Sequence, residues 1–139
     1  MTSPVERLAR NRDLVAEAPD RKEFEGLVRS GLARLADAQN TANSLDSRFD
    51  LAYNAAHALC LAALRYRGFR SSKRYFVFQV LPDTLGLGSA VWRVLDKAHG
   101  MRNRSEYEGV VDVDENLVRD IITACKAVAE TVQQLPALK

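Results

Sequence analysis

Much of the sequence's character lies in what is missing. There is no glycine-rich phosphate loop, no paired CxxC, no HExxH and no nucleophile elbow, which removes the commonest motif-borne routes to nucleotide hydrolysis, zinc binding and serine-based hydrolysis. No apolar run approaches the roughly 20 residues that a membrane span needs. The first residues (Met1-Thr2-Ser3-Pro4, then Glu6, Arg7 and Arg10) lack the apolar stretch of a secretory signal, so a soluble, cytoplasmic protein without membrane contact is expected. Cysteine is scarce: the only two, Cys60 and Cys125, sit among Ala and Leu at helical spacing, as reduced core residues do. Internal repeats and low-complexity tracts are absent. Net charge is only +2, so global charge does not point to nucleic acid.

What is present suits one globular domain. A chain of 139 residues with 47% hydrophobic and 27% charged residues is long enough to bury a core without disulfides or metal. Residues 1–18 read as a short N-terminal helical or flexible segment ended by Pro19, and residues 19–139 as a helical bundle. Asp20 precedes Glu23 by three, a capping-box spacing. Phe24, Leu27, Val28, Gly31, Leu32 and Leu35 then recur at three and four, the mark of one buried helical face. After a polar loop, 39–44, a second helix starts near Ser44–Ser47 and runs to Tyr66 or Arg67, with Gly68 as its stop. Its face of Phe49, Ala52, Tyr53, Ala56, Leu59, Cys60, Ala63 and Leu64 is broad, as befits a central helix. Residues 74–81 combine β-branched and aromatic residues, but a lone strand would leave its ladder unpaired, which favours a short helix. Ser89 opens a further helix with Val91, Val94, Leu95, Ala98 and Met101 inside, ended by Gly109. The spacing of Asp112 and Glu115 predicts the cap of a last helix carrying Leu117, Ile121, Cys125, Val128 and Val132. The expected fold is all-α, an up-and-down bundle of four to five helices.

Two polar stripes interrupt these apolar helices. Asp50, Asn54 and His57 lie at spacings of four and three, on one narrow face. Asp96, His99, Arg102, Asn103 and Glu106 do the same on the later helix. An Asp one turn before a His can orient its imidazole, and an Arg one turn after it can bind a phosphate in bidentate fashion. Satisfied packing residues and helical ion pairs, each worth roughly 0.2–0.5 kcal/mol, explain the same patterns. Arg65, Arg67, Arg70, Lys73 and Arg74 place five cations within ten residues, interleaved with Tyr66, Phe69 and Tyr75. A nucleic-acid-binding patch has this composition, and so does a solvated helix end whose dipole favours cations. Both readings stay open.

Three segments resemble the HEPN (higher eukaryotes and prokaryotes nucleotide-binding) superfamily. Ser47-Arg48-Phe49-Asp50-Leu51-Ala52-Tyr53-Asn54-Ala55-Ala56-His57, with the alanine-rich helix ending at Gly68, is similar to the family's S-R-Y-D-x-A-Y-x-A helix. His99-Gly100-Met101-Arg102-Asn103-Arg104-Ser105-Glu106-Tyr107 resembles its late R-N-x-x-x-Y/H motif. A final capped amphipathic helix completes the pattern, over roughly residues 20–135.

The resemblance implies a small bundle, commonly a homodimer with its motif helices at the interface. It further implies a toxin–antitoxin or defence-system role on RNA as a metal-independent endoribonuclease, with no cofactor. The alternative is a non-catalytic nucleotide- or partner-binding module that pairs with a nucleotidyltransferase-type antitoxin. Arg102 then matches the motif's Arg, Asn103 its polar follower, and Asp50 the acidic residue that faces the motif. Tyr107 stands where active members carry His. A tyrosine, with an ordinary pKa of about 10, is a poor base near neutrality, which leaves His99 as the other candidate for proton handling. The expected catalytic set is Arg102, Asn103, Tyr107, His99 and Asp50. The expected nucleic-acid surface is Arg65, Arg70, Lys73, Arg74 and Arg104, and no metal is expected.

Overall fold

The computed structural model describes residues 4–10, 12–108 and 113–138, with side chains from residue 6 onward and, near the end of the sixth helix, as far as 104. In chain order the elements are α1 (Pro4–Arg10), β1 (Leu14–Ala16), α2 (Arg21–Ala38), α3 (Leu45–Tyr66), β2 (Phe69–Ser71), α4 (Phe76–Gln79), α5 (Leu81–Thr84), α6 (Ser89–Glu108) and α7 (Glu115–Gln133). Among the described residues the protein is thus mainly helical, a bundle of four long helices with three short ones and a minimal sheet. Among the described residues, no helix is long and apolar enough to cross a membrane.

Local chemistry sets the helix ends. Asp20 accepts from the Glu23 backbone N–H at 3.1 Å, and Ser44 from that of Ser47 at 3.2 Å; caps of this kind contribute about 1 kcal/mol each. The C-terminus of α3 is closed by Gly68, whose φ of 89° suits a residue without a side chain. The cap of α7 differs from expectation. Asp112 lies outside the described residues, and the observed cap is Asp114, which accepts from Leu117 N–H at 2.7 Å. Gly109, the expected stop of α6, also lies outside them.

The core forms around α3, which packs against α2, α4, α6 and α7. Its alanines (Ala52, Ala55, Ala56, Ala62 and Ala63) are fully buried and bring neighbouring backbones close. The tightest approach is at Gly31 of α2, where an added Cβ would sit 2.6 Å from Leu59 Cγ. Leu95 and Ala98 of α6, and Val118, Ile121, Cys125, Val128 and Val132 of α7, close the interior. The segment 74–81 forms short helix, as expected, from Phe76 onward: α4 ends at Gln79, and α5 starts at Leu81 beyond Val80.

The N-terminal segment is an integral part of the fold. Leu8 and Leu14 are buried in the core. β1 pairs antiparallel with β2, Leu14 opposite Ser71, Val15 opposite Arg70 and Ala16 opposite Phe69. That pairing fixes the residues just after α3, including the loop that leads to Arg74.

Candidate functional site

The late polar stripe and the central helix do meet. On α6, His99, Arg102 and Asn103 follow one another at three and four residues, so they share the face turned toward α3. His99 Nδ1 lies 2.9 Å from the hydroxyl of Tyr53, and its Nε2 lies 3.1 Å from Asn103 Nδ2. An amide NH2 only donates, so Nε2 is the acceptor, and the neutral ring carries its proton on Nδ1 and donates to Tyr53. Protonating Nε2 would set two donors face to face and would require the Asn103 amide to rotate. The Arg102 guanidinium stands over the Tyr53 ring, 5.0 Å from its centroid, a cation–π arrangement. Tyr75 closes the other side of His99, ring centroids 5.7 Å apart.

Tyr53 lies on the buried face of its helix, as its spacing predicts, and is only 1% exposed; its part in the site is what sequence reasoning missed. Yet a buried tyrosine hydroxyl needs a partner, and that rule was the available signal. His57, one turn further along α3, belongs to the stripe with Asp50 and Asn54 that the sequence singles out, and it is partly buried. It packs edge-on against Phe78. Burial, helped by the nearby positive charges of Arg74 and Arg102, pushes its pKa down to about 4, so its imidazole is neutral at pH 7. Asp50 is exposed near the start of α3, and α3 brings the Tyr53 ring against Arg102. The side chain of Tyr107 lies outside the described residues. Arg104 is exposed on α6.

The cations after residue 64 divide into two groups with different tasks. Arg65 is a correction. It is 1% exposed, roughly 18 Å along the helix axis from Tyr53, and no strand of nucleic acid can reach it. Its guanidinium pairs with Glu23 and Glu17 and donates to the carbonyls of Glu17, Ala18 and Phe69 at 3.0, 2.8 and 3.2 Å. Arg70 shares both carboxylates, at 2.9 Å from Glu23 and 2.9 Å from Glu17, so its charge is offset where it stands. The two arginines hold both carboxyls below the usual range. This four-residue network ties the β1–α2 junction to the end of α3.

Lys73 and Arg74 are different. Both are exposed, and among the described residues neither forms an ion pair. With Ser71, Ser72, Arg70, Val77, Leu61 and His57 they line a cavity of about 210 Å³. Two larger hollows, lined chiefly by Phe24, Val28, Leu32 and Val132 in one case and by Leu35, Ala129 and Gln133 in the other, lie between α2 and α7. They share no residue with the histidines, and size alone does not make them the site.

Cys60 and Cys125 are buried and free. Burial raises both thiols, that of Cys125 to about 12, so neither is nucleophilic near neutrality. Among the described residues no group of His, Cys, Asp and Glu could hold a metal ion. Comparisons with family models, with curated proteins and with solved structures returned no match.

Proposed function

We propose that this protein is a HEPN-like module acting on RNA, an endoribonuclease of the toxin or defence type that works as a homodimer and without a metal ion. The observation that carries the reading is the assembly of Arg102, Asn103 and His99 against Tyr53. Cleavage of RNA needs a cation for the phosphate, a base for the 2′-hydroxyl and an acid for the leaving oxygen. Arg102 would hold the scissile phosphate. His99 would take the 2′-hydroxyl proton at Nε2 once Asn103 turns its amide. The 2′ oxygen then bonds to phosphorus as the bond to the 5′ oxygen breaks, and that oxygen recovers a proton from the imidazolium or from Tyr107. The products are a 2′,3′-cyclic phosphate and a 5′-hydroxyl end. Asp50 and Arg104 would position the strand at the rim.

The test is cleavage of RNA by purified protein in the presence of a chelator, alongside growth of cells expressing it. Activity and growth arrest that both disappear in Arg102→Ala and His99→Ala are expected. Intact RNA and harmless expression would end the catalytic reading.

One observation favours a second reading. Both ring nitrogens of His99 are engaged, which suits a binding residue better than a proton carrier. In that case the module binds RNA or a nucleotide without cutting it and pairs with a nucleotidyltransferase-type partner. Stable RNA binding without product, and co-purification with such a partner, distinguish it from the first.

A further inference from the structure

We propose that the cavity between His57 of α3 and the loop Ser71–Arg74 is a separate phosphoryl site, which takes a terminal phosphomonoester of the RNA strand. The inference rests on the RNA reading for the nature of its ligand, but Arg102 does not line the cavity. Three observations lead to it.

The first is size. At about 210 Å³ the cavity has the volume of about seven waters at ~30 Å³ each. It falls short of the roughly 300–1,000 Å³ of clefts that enclose whole ligands. It therefore suits one group of a larger molecule, with the remainder outside.

The second is charge. Arg70 on the cavity wall is already matched by Glu17 and Glu23. Lys73 and Arg74 bring two further positive charges, and no described carboxylate pairs with either. On the inner wall His57 faces Arg74 from the loop and Arg102 and His99 from α6, and the two arginines act on it as positive neighbours. A terminal phosphate carries −1.5 to −2 charges at neutral pH, given a second pKa of about 6, whereas a backbone diester carries one. The dianion is the better match. It would also convert His57 from a neutral residue among cations into a protonated donor, because an opposite charge within a few ångströms favours the charged form.

The third is rigidity. The loop is held before any ligand arrives. Ser72 donates its backbone N–H and its hydroxyl to the Asp13 carbonyl, at 3.0 and 3.1 Å. The Ser71 hydroxyl accepts from Lys73 N–H at 3.2 Å, and the β1–β2 pairing fixes Ser71 against Leu14. A preformed loop spares the ordering entropy that binding would otherwise have to offset.

The experiment follows the His57 ring resonances of the intact protein by NMR. The probes are inorganic phosphate, adenosine 5′-monophosphate, and a short RNA with and without a 5′-phosphate. Phosphate should shift those resonances saturably and raise the His57 midpoint from about 4 by about one unit or more. The double variant Lys73→Ala/Arg74→Ala should weaken phosphate binding about tenfold or more, through loss of two charge-assisted contacts. Both side chains are exposed, so the variant should keep the wild-type melting temperature, which separates lost binding from lost fold. Tighter binding of the phosphorylated RNA than of its 5′-hydroxyl twin supports a strand end as ligand. Equal binding of the mononucleotide supports the phosphoryl site but assigns it to a free nucleotide. Phosphate that leaves His57 unmoved overturns the site. So does RNA binding that depends on Arg102 while ignoring Lys73 and Arg74, with the RNA reading intact. Phosphate bound at His57 by a protein that neither binds nor cuts RNA would sink the RNA reading alone.

Discussion

The Tyr53 hydroxyl and His99 Nδ1, 2.9 Å apart, join the central helix to the helix that carries the Arg–Asn pair. With Asn103 donating to the opposite nitrogen, the contact selects one tautomer of His99, protonated at Nδ1. Nitrogen chemical shifts of the imidazole should report that tautomer at neutral pH. Tyr53→Phe removes the acceptor of the Nδ1–H and leaves a half-buried donor unmatched. It should cost about 1–2 kcal/mol of stability and mix the tautomers. Shifts that indicate an Nε2-protonated ring in the wild type would mean that Asn103 presents its oxygen instead, and the proton route proposed for His99 would reverse.

Two glycines on α2 make opposite predictions. At Gly31 a Cβ would meet Leu59 Cγ at 2.6 Å, Leu59 Cδ2 at 2.9 Å and the Ala55 carbonyl at 3.3 Å, and Leu59 is fully buried with little room to yield. Gly31→Ala should therefore destabilise by about 1–3 kcal/mol, the usual effect of overpacking. At Gly26 the nearest atom is the far end of Arg29, at 3.9 Å. Gly26→Ala should stabilise by roughly 0.5–1 kcal/mol through helix propensity. Urea unfolding of the two variants checks both signs; stabilisation in both would show that α2 and α3 pack less closely than described.

The parts of this molecule that local sequence specifies were legible, and the parts that depend on distant partners were not. Asp20, Ser44 and Gly68 mark their helix ends by short-range hydrogen bonds and backbone preference, and α2 and α3 begin and end where those residues predict. The β1–β2 pair escaped notice because three-residue strands have no readable period, and because Leu14 meets Ser71 only after the chain has folded back across α2 and α3. The density of charge around Arg65 suggests a surface cation. Its burial depends on Glu17 and Glu23, the latter 42 residues earlier, and nothing local announces that pairing. Glu23 shows the same limit: its spacing suggested a capping box, and Asp20 does cap the helix, but the Glu23 carboxylate is turned to Arg65 and Arg70. Of the site, the α6 triplet was readable from helical spacing. Its partner Tyr53 was hidden because a tyrosine in an apolar stripe looks like core until its hydroxyl's partner is known.

The division of the basic cluster predicts two phenotypes. Arg65→Met keeps much of the volume but removes donors to three carbonyls and two carboxylates. It should cost about 3 kcal/mol or more, given that bonds to charged groups contribute roughly 1.5–3 kcal/mol each. Lys73→Ala and Arg74→Ala, both at exposed positions, should change stability by less than about 0.5 kcal/mol while weakening binding of anions. Thermal melts and phosphate titrations on the same three variants test the split. A stable Arg65→Met with reduced RNA binding would return Arg65 to the surface where its sequence context first suggested it belongs.

Acid should loosen the fold through His57 before it reaches the carboxylates. The imidazole has a pKa of about 4 in the folded protein against an ordinary 6.5, so the unfolded chain binds its proton more tightly. Stability contributed by the neutral ring is fully present above pH 6.5 and is lost progressively as pH falls toward 4. At about 1.4 kcal/mol per pKa unit, the loss amounts to at most about 3.5 kcal/mol. Glu17 and Glu23 are lowered too, but from an ordinary 4.5, so their contribution is lost only at more acidic pH. The two effects therefore occupy different windows. His57→Gln, which is neutral throughout, should flatten the stability profile between pH 6.5 and 4 and leave the steeper fall below it unchanged. Saturating phosphate should flatten the same window in the wild type, because a bound anion stabilises the protonated ring that acid would otherwise penalise. A wild-type profile already flat from pH 7 to 4.5 would show that His57 is hydrated and titrates normally. The positive cluster around it would then exert little force on a ligand.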